Sequence, residues 1–317
     1  MTGDAAGGDA VTTGTVGGDA GLGAVLDKVA VLAGPREVGE LPGGLTNRNY
    51  KVSCTAGRYV VRVSPPGADL LSINREHEHQ NSLRAAAAGV GAPVIDYLPE
   101  HHVLVVGYID GVTFGDEDVR ANVRRVADSC RRLHRGPRFV NDFDMFVIQR
   151  GYLDLCVARG FRLPAGYADF MPQVAAIRVA LAARDEGTVP CNNDLLAANF
   201  IDDGEQVWLI DYEYAGNNDP CFELGNIWSE CHLTMDELAE LVTCYYGQPR
   251  RNKLARAQLL GLMSRYGWTL WASIQDSASD IDFDFWGWGM EKYDAAVAMF
   301  TNRPAFTRLL EDAQRPG

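Results

Sequence analysis

The sequence predicts an α+β protein of two lobes, with a small antiparallel sheet in the N-terminal part and a larger, mainly helical C-terminal part. Three observations lead there. Between residues 37 and 108, short runs rich in β-branched and aromatic residues are separated by turn residues. From Asp116 onward apolar residues recur at helical spacing. Inside that helical stretch lies one short β excursion, at 199–201 and 207–210, turned by Asp202-Asp203-Gly204.

Residues 1–20 are mostly Gly, Ala, Thr and Asp, so ordering them costs entropy that no burial offsets, and a disordered tail is expected. A short amphipathic helix is expected over 22–33, then strands over 37–41, 50–54 and 58–63, the last two joined through Thr55-Ala56-Gly57. Residues 73–88 read as a helix closed by Gly89 and Gly91, and Pro93 marks the return to extended chain. Strands over 94–98 and 103–108 complete a five-stranded antiparallel sheet with one helix. Asp110-Gly111 ends this unit, and helices are expected next, among them 119–135 and 167–184. The expected domains are therefore 1–20, 21–110 and 111–317.

The chain has 317 residues, 47% of them hydrophobic, enough to bury one large core or two smaller ones. Its 42 acidic against 29 basic side chains give a net charge of -13, which repels nucleic acid and anionic membranes. Seven cysteines without a C-x-x-C pair argue against a disulfide framework and a zinc site, and point to the reducing cytoplasm. No apolar run reaches the roughly 18–20 residues of a membrane span, and no signal-peptide pattern opens the chain. The six histidines lack metal-ligand spacing and no serine or cysteine sits in a nucleophile elbow, so metalloenzyme and hydrolase readings find little support.

The chemistry concentrates in Cys191-Asn192-Asn193-Asp194-Leu195-Leu196-Ala197-Ala198-Asn199-Phe200, followed by Ile210-Asp211-Tyr212-Glu213-Tyr214. Phosphoryl transfer needs an acceptor for the attacking hydroxyl's proton and hard oxygen ligands for a divalent ion. Asp194 suits the first role, and Asn199 with Asp211 the second. Singly, each is an ordinary cap or turn residue. It is the joint pattern, D-x-x-x-x-N, a hairpin and then apolar-apolar-Asp, that points to a site.

This segment is similar to the catalytic loop and metal-binding strand of the choline/ethanolamine kinase and aminoglycoside phosphotransferase superfamily, whose pattern is H-x-D-x-x-x-x-N followed by I-D-[WFY]-E-Y. The resemblance implies a two-lobed protein-kinase-like fold, a nucleotide-binding lobe at 21–110 and a catalytic lobe at 111–317. It also implies ATP and Mg²⁺ as cofactors, Asp194 as catalytic base, and Asn199 and Asp211 as metal ligands. Asn192 stands where the pattern has His. That residue braces the loop, and an amide, with a donor and an acceptor, can do the same.

The resemblance extends to nucleotide contacts. Gly43, Gly44, Thr46, Asn47 and Asn49 lie where a phosphate-covering loop is expected, although such glycines also serve ordinary hairpins. Arg62 takes the place of the kinase lysine, with a guanidinium able to fork across phosphate oxygens and Glu78 as its expected partner. Tyr108 and Ile109 fall in the expected adenine-contacting hinge. For the acceptor, residues 213–226 resemble choline kinases, and Trp268-Thr269-Leu270-Trp271 matches their W-x-x-W.

Tyr214, Glu230, Trp268, Trp271 and Trp288 are thus expected around a small cationic alcohol, held through aromatic faces. On spacing alone, tryptophans three apart simply share a packed helix face. The expected activity is phosphorylation of choline or a related amino alcohol such as ethanolamine. An aminoglycoside, thiamine or a sugar as acceptor, and a nucleotide-binding pseudokinase, stay open, as does a homodimer.

Overall fold

The computed structural model describes residues 20–64, 68–184 and 186–316, so the expected N-terminal tail lies outside the described residues apart from Ala20. The chain's internal contacts gather into two units, the first ending before residue 67 and resuming over Val94–Tyr108, the second holding the rest.

In the first unit α1 (Ala20–Leu26) is followed by a separate 3₁₀ turn (Ala30–Leu32) rather than one helix through residue 33. The break has a partner in Arg36, whose guanidinium donates to the carbonyls of Gly23 and Leu32 and to the Asp27 carboxylate. The strands β1 (Arg36–Leu41), β2 (Arg48–Cys54), β3 (Gly57–Val63), β4 (Val94–Leu98) and β5 (Val103–Gly107) form the expected sheet, in the order β1-β2-β3-β5-β4. All neighbours are antiparallel. Alternate residues Tyr50 and Val52, Tyr59 and Val61, and Val103 and Val105 turn to one face and pack on Leu26, Val29 and Leu32. In the loop between β1 and β2, Gly43 has φ +89, and a Cβ on Gly44 would lie 2.4 Å from the Asn47 carbonyl oxygen, so this tight turn requires glycine.

The second unit begins with α2 (Arg75–Ala87), capped by the Asn74 side chain, which accepts from the His77 amide. The sequence groups this helix with the strands. Its contacts place it here instead, because Arg75 and Asn81 bond to the segment around Glu213 and Ala215. A two-residue strand β6 (Val112–Thr113) precedes α3 (Asp116–Ala121) and α4 (Val123–His134), two helices where the sequence suggests one. At the break, Asn122 leaves helical geometry and its side-chain amide donates to the Asp118 carbonyl. Next come α5 (Met145–Arg159) and α6 (Met171–Ala182), the latter preceded by a 3₁₀ turn over Tyr167–Phe170 because Pro172 can only open a helix.

Three more short strands carry the site segment: β7 (Val189–Cys191), β8 (Phe200–Asp202) and β9 (Val207–Leu209), with β10 (Gly216–Asn218) pairing back on β7. The expected hairpin is β8–β9, and β6 extends it to three strands. Beyond lie α7 (Pro220–Glu230), α8 (Met235–Tyr246), α9 (Arg251–Ala278), α10 (Phe285–Thr301) and α11 (Arg303–Ala313). The long α9 is the buried axis of this unit, with α5, α7, α10 and α11 packed around it. Among the described residues no helix is long and apolar enough to cross a membrane.

Candidate active site

The loop after β7 is held almost wholly by side-chain amides and one carboxylate. Glu223, fully buried on α7, accepts from the backbone amides of Asn192 (2.8 Å) and Asn193 (2.7 Å). Asn226, one turn on, accepts from the Leu195 amide at 2.7 Å and donates to Ser264 on α9. Asn193 adopts a left-handed backbone, φ 69, which Asn tolerates better than most residues. Its amide group donates to the carbonyls of Cys191, Tyr214 and Gly216. Backbone groups that no regular ladder satisfies are thereby paired by side chains, and the loop is fixed from three directions.

Asn192 does the bracing expected of the residue at the family's His position. Its Nδ2 donates to the carbonyls of Ile210 (3.0 Å) and Asp211 (2.8 Å), and its Oδ1 accepts from the Asp194 amide (3.1 Å). One fully buried amide therefore ties the segment of the expected base to that of an expected metal ligand.

Asn199 adds a second tie. Its Nδ2 donates to the Asp194 carbonyl at 2.7 Å, and its own carbonyl accepts from the Ile210 amide at 3.0 Å. With Nδ2 so engaged, Oδ1 is the atom this amide can offer a cation. Asp211, two residues beyond β9, adopts a left-handed conformation, φ 64, a sparsely populated geometry for a non-glycine residue. An amide oxygen and a carboxylate form a hard-oxygen pair of the kind Mg²⁺ prefers, so these residues fit the implied ion.

Asp194 is half-buried as a residue, yet burial of its carboxyl is the largest influence on it, pushing its pKa well above the usual carboxylate range. The negative charges of Glu230, Asp211 and Glu213 push the same way, and Lys292 opposes them. A carboxylate with a raised pKa is a stronger base, suited to taking a hydroxyl proton.

The expected acceptor residues come together beside it. Tyr214 and Trp268 meet edge to face at 4.8 Å, and the Trp271 indole donates to the Tyr214 hydroxyl at 2.9 Å. Trp271 also meets Trp288 at 5.5 Å. The three residues Tyr214, Trp268 and Trp271 are all buried, and the Trp268 indole nitrogen is buried with no hydrogen-bond partner among the described residues. Glu230 already has a cationic partner that the sequence does not suggest: its Oε2 accepts from the Lys292 ammonium at 2.6 Å.

The nucleotide residues fall as follows. Glu78 is buried on α2 and accepts from Arg75 at 2.6 Å, and Arg75 also reaches Glu213 at 3.1 Å. In the sheet unit Arg62 lies opposite Asn49 in the β2–β3 register. Asn47 is buried, donating to Thr46 and accepting from the Ser64 hydroxyl. The Tyr108 amide donates to the Arg58 carbonyl at 3.0 Å and so extends the sheet ladder.

Sequence reasoning missed Glu223, Asn193, Asn226, Arg75 and Lys292. It also missed a buried group formed by His134, Cys191 and Glu223, whose ligand-type atoms lie within 4.8 Å of one another although no sequence spacing links them. Here Glu223 is engaged by two amides, the His134 Nδ1 by the Tyr245 hydroxyl, and burial pushes the Cys191 thiol up, away from thiolate. The group underpins the loop.

The model of the "Phosphotransferase enzyme family" matches residues 37–259. A solved choline/ethanolamine kinase family protein from Mesorhizobium loti is 31% identical, with a TM-score of 0.79 over 92% of this chain and 97% of that one. Protein LicA of Haemophilus influenzae is 25% identical over 83% of this chain and 79% of its own length. Ethanolamine kinase 2 of Rattus norvegicus is 29% identical over 71% and 66%.

Proposed function

The chain belongs to the phosphotransferase enzyme family, as a small-molecule kinase of the choline/ethanolamine kinase group, and from that premise we propose that it transfers the γ-phosphate of ATP, with Mg²⁺, to the hydroxyl of choline or a related amino alcohol such as ethanolamine. The observation that carries the reading is the pair of ties, Asn192 and Asn199, that lock Asp194, Asn199 and Asp211 into one constellation.

In the reaction, Asp194 accepts the hydroxyl proton as that oxygen attacks the γ-phosphorus. The new O–P bond forms as the bond to the departing ADP oxygen breaks. Asn199 through Oδ1 and Asp211 through its carboxylate would hold Mg²⁺, which when bound neutralises phosphate oxygens. Arg62 supplies a guanidinium fork for phosphate, and Gly43, Gly44, Thr46, Asn47 and Asn49 are the proposed loop contacts. The Tyr108 carbonyl and Ile109 are proposed for the adenine. The acceptor's amine is proposed to sit near Tyr214, Glu230, Trp268, Trp271 and Trp288, on the same unit as the base. A cytoplasmic location fits such a reaction.

A coupled assay of ADP release with choline, ethanolamine, thiamine, a sugar and an aminoglycoside, with and without EDTA, tests the proposal. Amine-dependent, EDTA-sensitive turnover is expected. ATP binding without transfer to any acceptor refutes it in favour of a pseudokinase, and preference for one of the other alcohols moves the acceptor.

A further inference from the structure

The seat expected for the acceptor's positive charge already holds one. Lys292, on α10, places its ammonium 2.6 Å from Oε2 of Glu230 and 4.0 Å from the centre of the Trp288 ring. Lys292 and Glu230 are both buried, with side-chain exposures of 9% and 5%. A carboxylate and an aromatic face are the two features that select a cation, and the chain's own primary ammonium occupies both. A second cation also acts on this carboxylate. Arg265 donates to the Ser229 hydroxyl at 3.1 Å, and Ser229 in turn donates to Glu230 Oε1 at 3.2 Å.

We propose that Lys292 sets the acceptor class: it holds the cation seat against quaternary ammonium alcohols, so the enzyme takes primary-amine alcohols of the ethanolamine type and discriminates against choline. This rests on the kinase reading above and narrows it. A nitrogen–oxygen separation of 2.6 Å is a hydrogen bond, which needs an N–H. A trimethylammonium has none, and its methyl groups keep the nitrogen farther from any carboxylate. Among the described residues, the bond to Glu230 Oε1 is a long one from a neutral hydroxyl, so a primary ammonium can compete for that oxygen while Lys292 stays in place. A quaternary cation has to dislodge Lys292 from Trp288 and Glu230, and a buried ammonium stripped of its carboxylate is strongly disfavoured.

The test is the ratio of kcat/KM for ethanolamine to that for choline, at fixed ATP and Mg²⁺, in the wild type, in Lys292→Met and in Lys292→Gln. Both variants keep much of the side chain's length and lose its charge. We expect the wild type to favour ethanolamine by at least about tenfold, and each variant to move the ratio toward choline by at least about tenfold. The ratio cancels losses in folded fraction or ATP affinity, which a purely structural role for Lys292 would produce. Equal use of the two amines by the wild type, or a ratio that the variants leave unchanged, overturns the inference while the kinase function stands. Transfer to neither amine overturns the function and the inference with it. If neither variant folds, the wild-type ratio alone decides.

Discussion

Replacing Asn192 by alanine probes the constellation at its tightest point. The substitution removes two donors, to the carbonyls of Ile210 and Asp211, and leaves the Asp194 amide without its acceptor. Two neutral hydrogen bonds are worth about 0.5–1.5 kcal/mol each, and an orphaned buried amide costs about 1–3 kcal/mol, so a loss of roughly 2–6 kcal/mol is expected. At about 2–4 °C per kcal/mol the thermal midpoint should fall clearly. Activity should suffer more than stability, because the same amide sets the separation of base and metal segments, and a misplacement of about 1 Å can cost on the order of 10²-fold in rate. Asn192→Asp should be at least as damaging, since it turns the donor edge into a carboxylate oxygen facing two carbonyls. Asn192→His, which restores a ring donor, should retain most of the activity. Steady-state kinetics and thermal unfolding on the three variants check this, and an Asn192→Ala enzyme with near-normal kcat and midpoint would refute the bracing role.

Asp194→Asn should abolish transfer and, near neutral pH without ligands, raise the thermal midpoint. A carboxyl whose folded pKa is raised makes the protein lose stability as pH rises from the ordinary Asp range through the raised value, and the amide removes that loss. In the wild type, kcat/KM should fall as pH drops through the raised pKa, with an acid limb above the ordinary carboxylate range. A profile flat down to pH 4 counts against Asp194 as the base. Glu223→Gln keeps one acceptor for two buried amides, so it should cost about 1–3 kcal/mol in unfolding experiments and lower kcat; unchanged values would sink its anchoring role. Gly225→Ala puts a Cβ 2.2 Å from the Ala257 carbonyl where α7 meets α9, and should destabilise by about 1–3 kcal/mol, visible as a lowered midpoint.

The centre of the first unit's sheet is legible from local pattern, because β2 and β3 alternate buried and more open positions and Gly57 at the start of β3 supplies the turn between them. Helix interruptions are less so. Asn122 breaks one apolar pattern into two helices through a local side-chain bond, and periodicity cannot distinguish a broken helix from a whole one. The strands β6, β7 and β10 are two or three residues long and exist through partners far along the chain, which no local pattern reports.

The site divides along the same line. Asp194, Asn199 and Asp211 lie within one short stretch, so their spacing could be weighed as a unit, and their ties to one another are made by amides in that stretch. The charges that decide what the constellation accepts come from elsewhere. Glu213 meets Arg75 across 138 positions, and Glu230 meets Lys292 across 62. Lys292 reads as one more basic residue on an amphipathic helix until its burial is known. Buried against a carboxylate and a tryptophan, it changes the inference to be drawn from W-x-x-W: the aromatic residues are compatible with a cation, but the first cation they meet belongs to the chain. Acceptor choice in such a site follows from how firmly that internal ion pair holds, and the ethanolamine-to-choline ratio measures that directly.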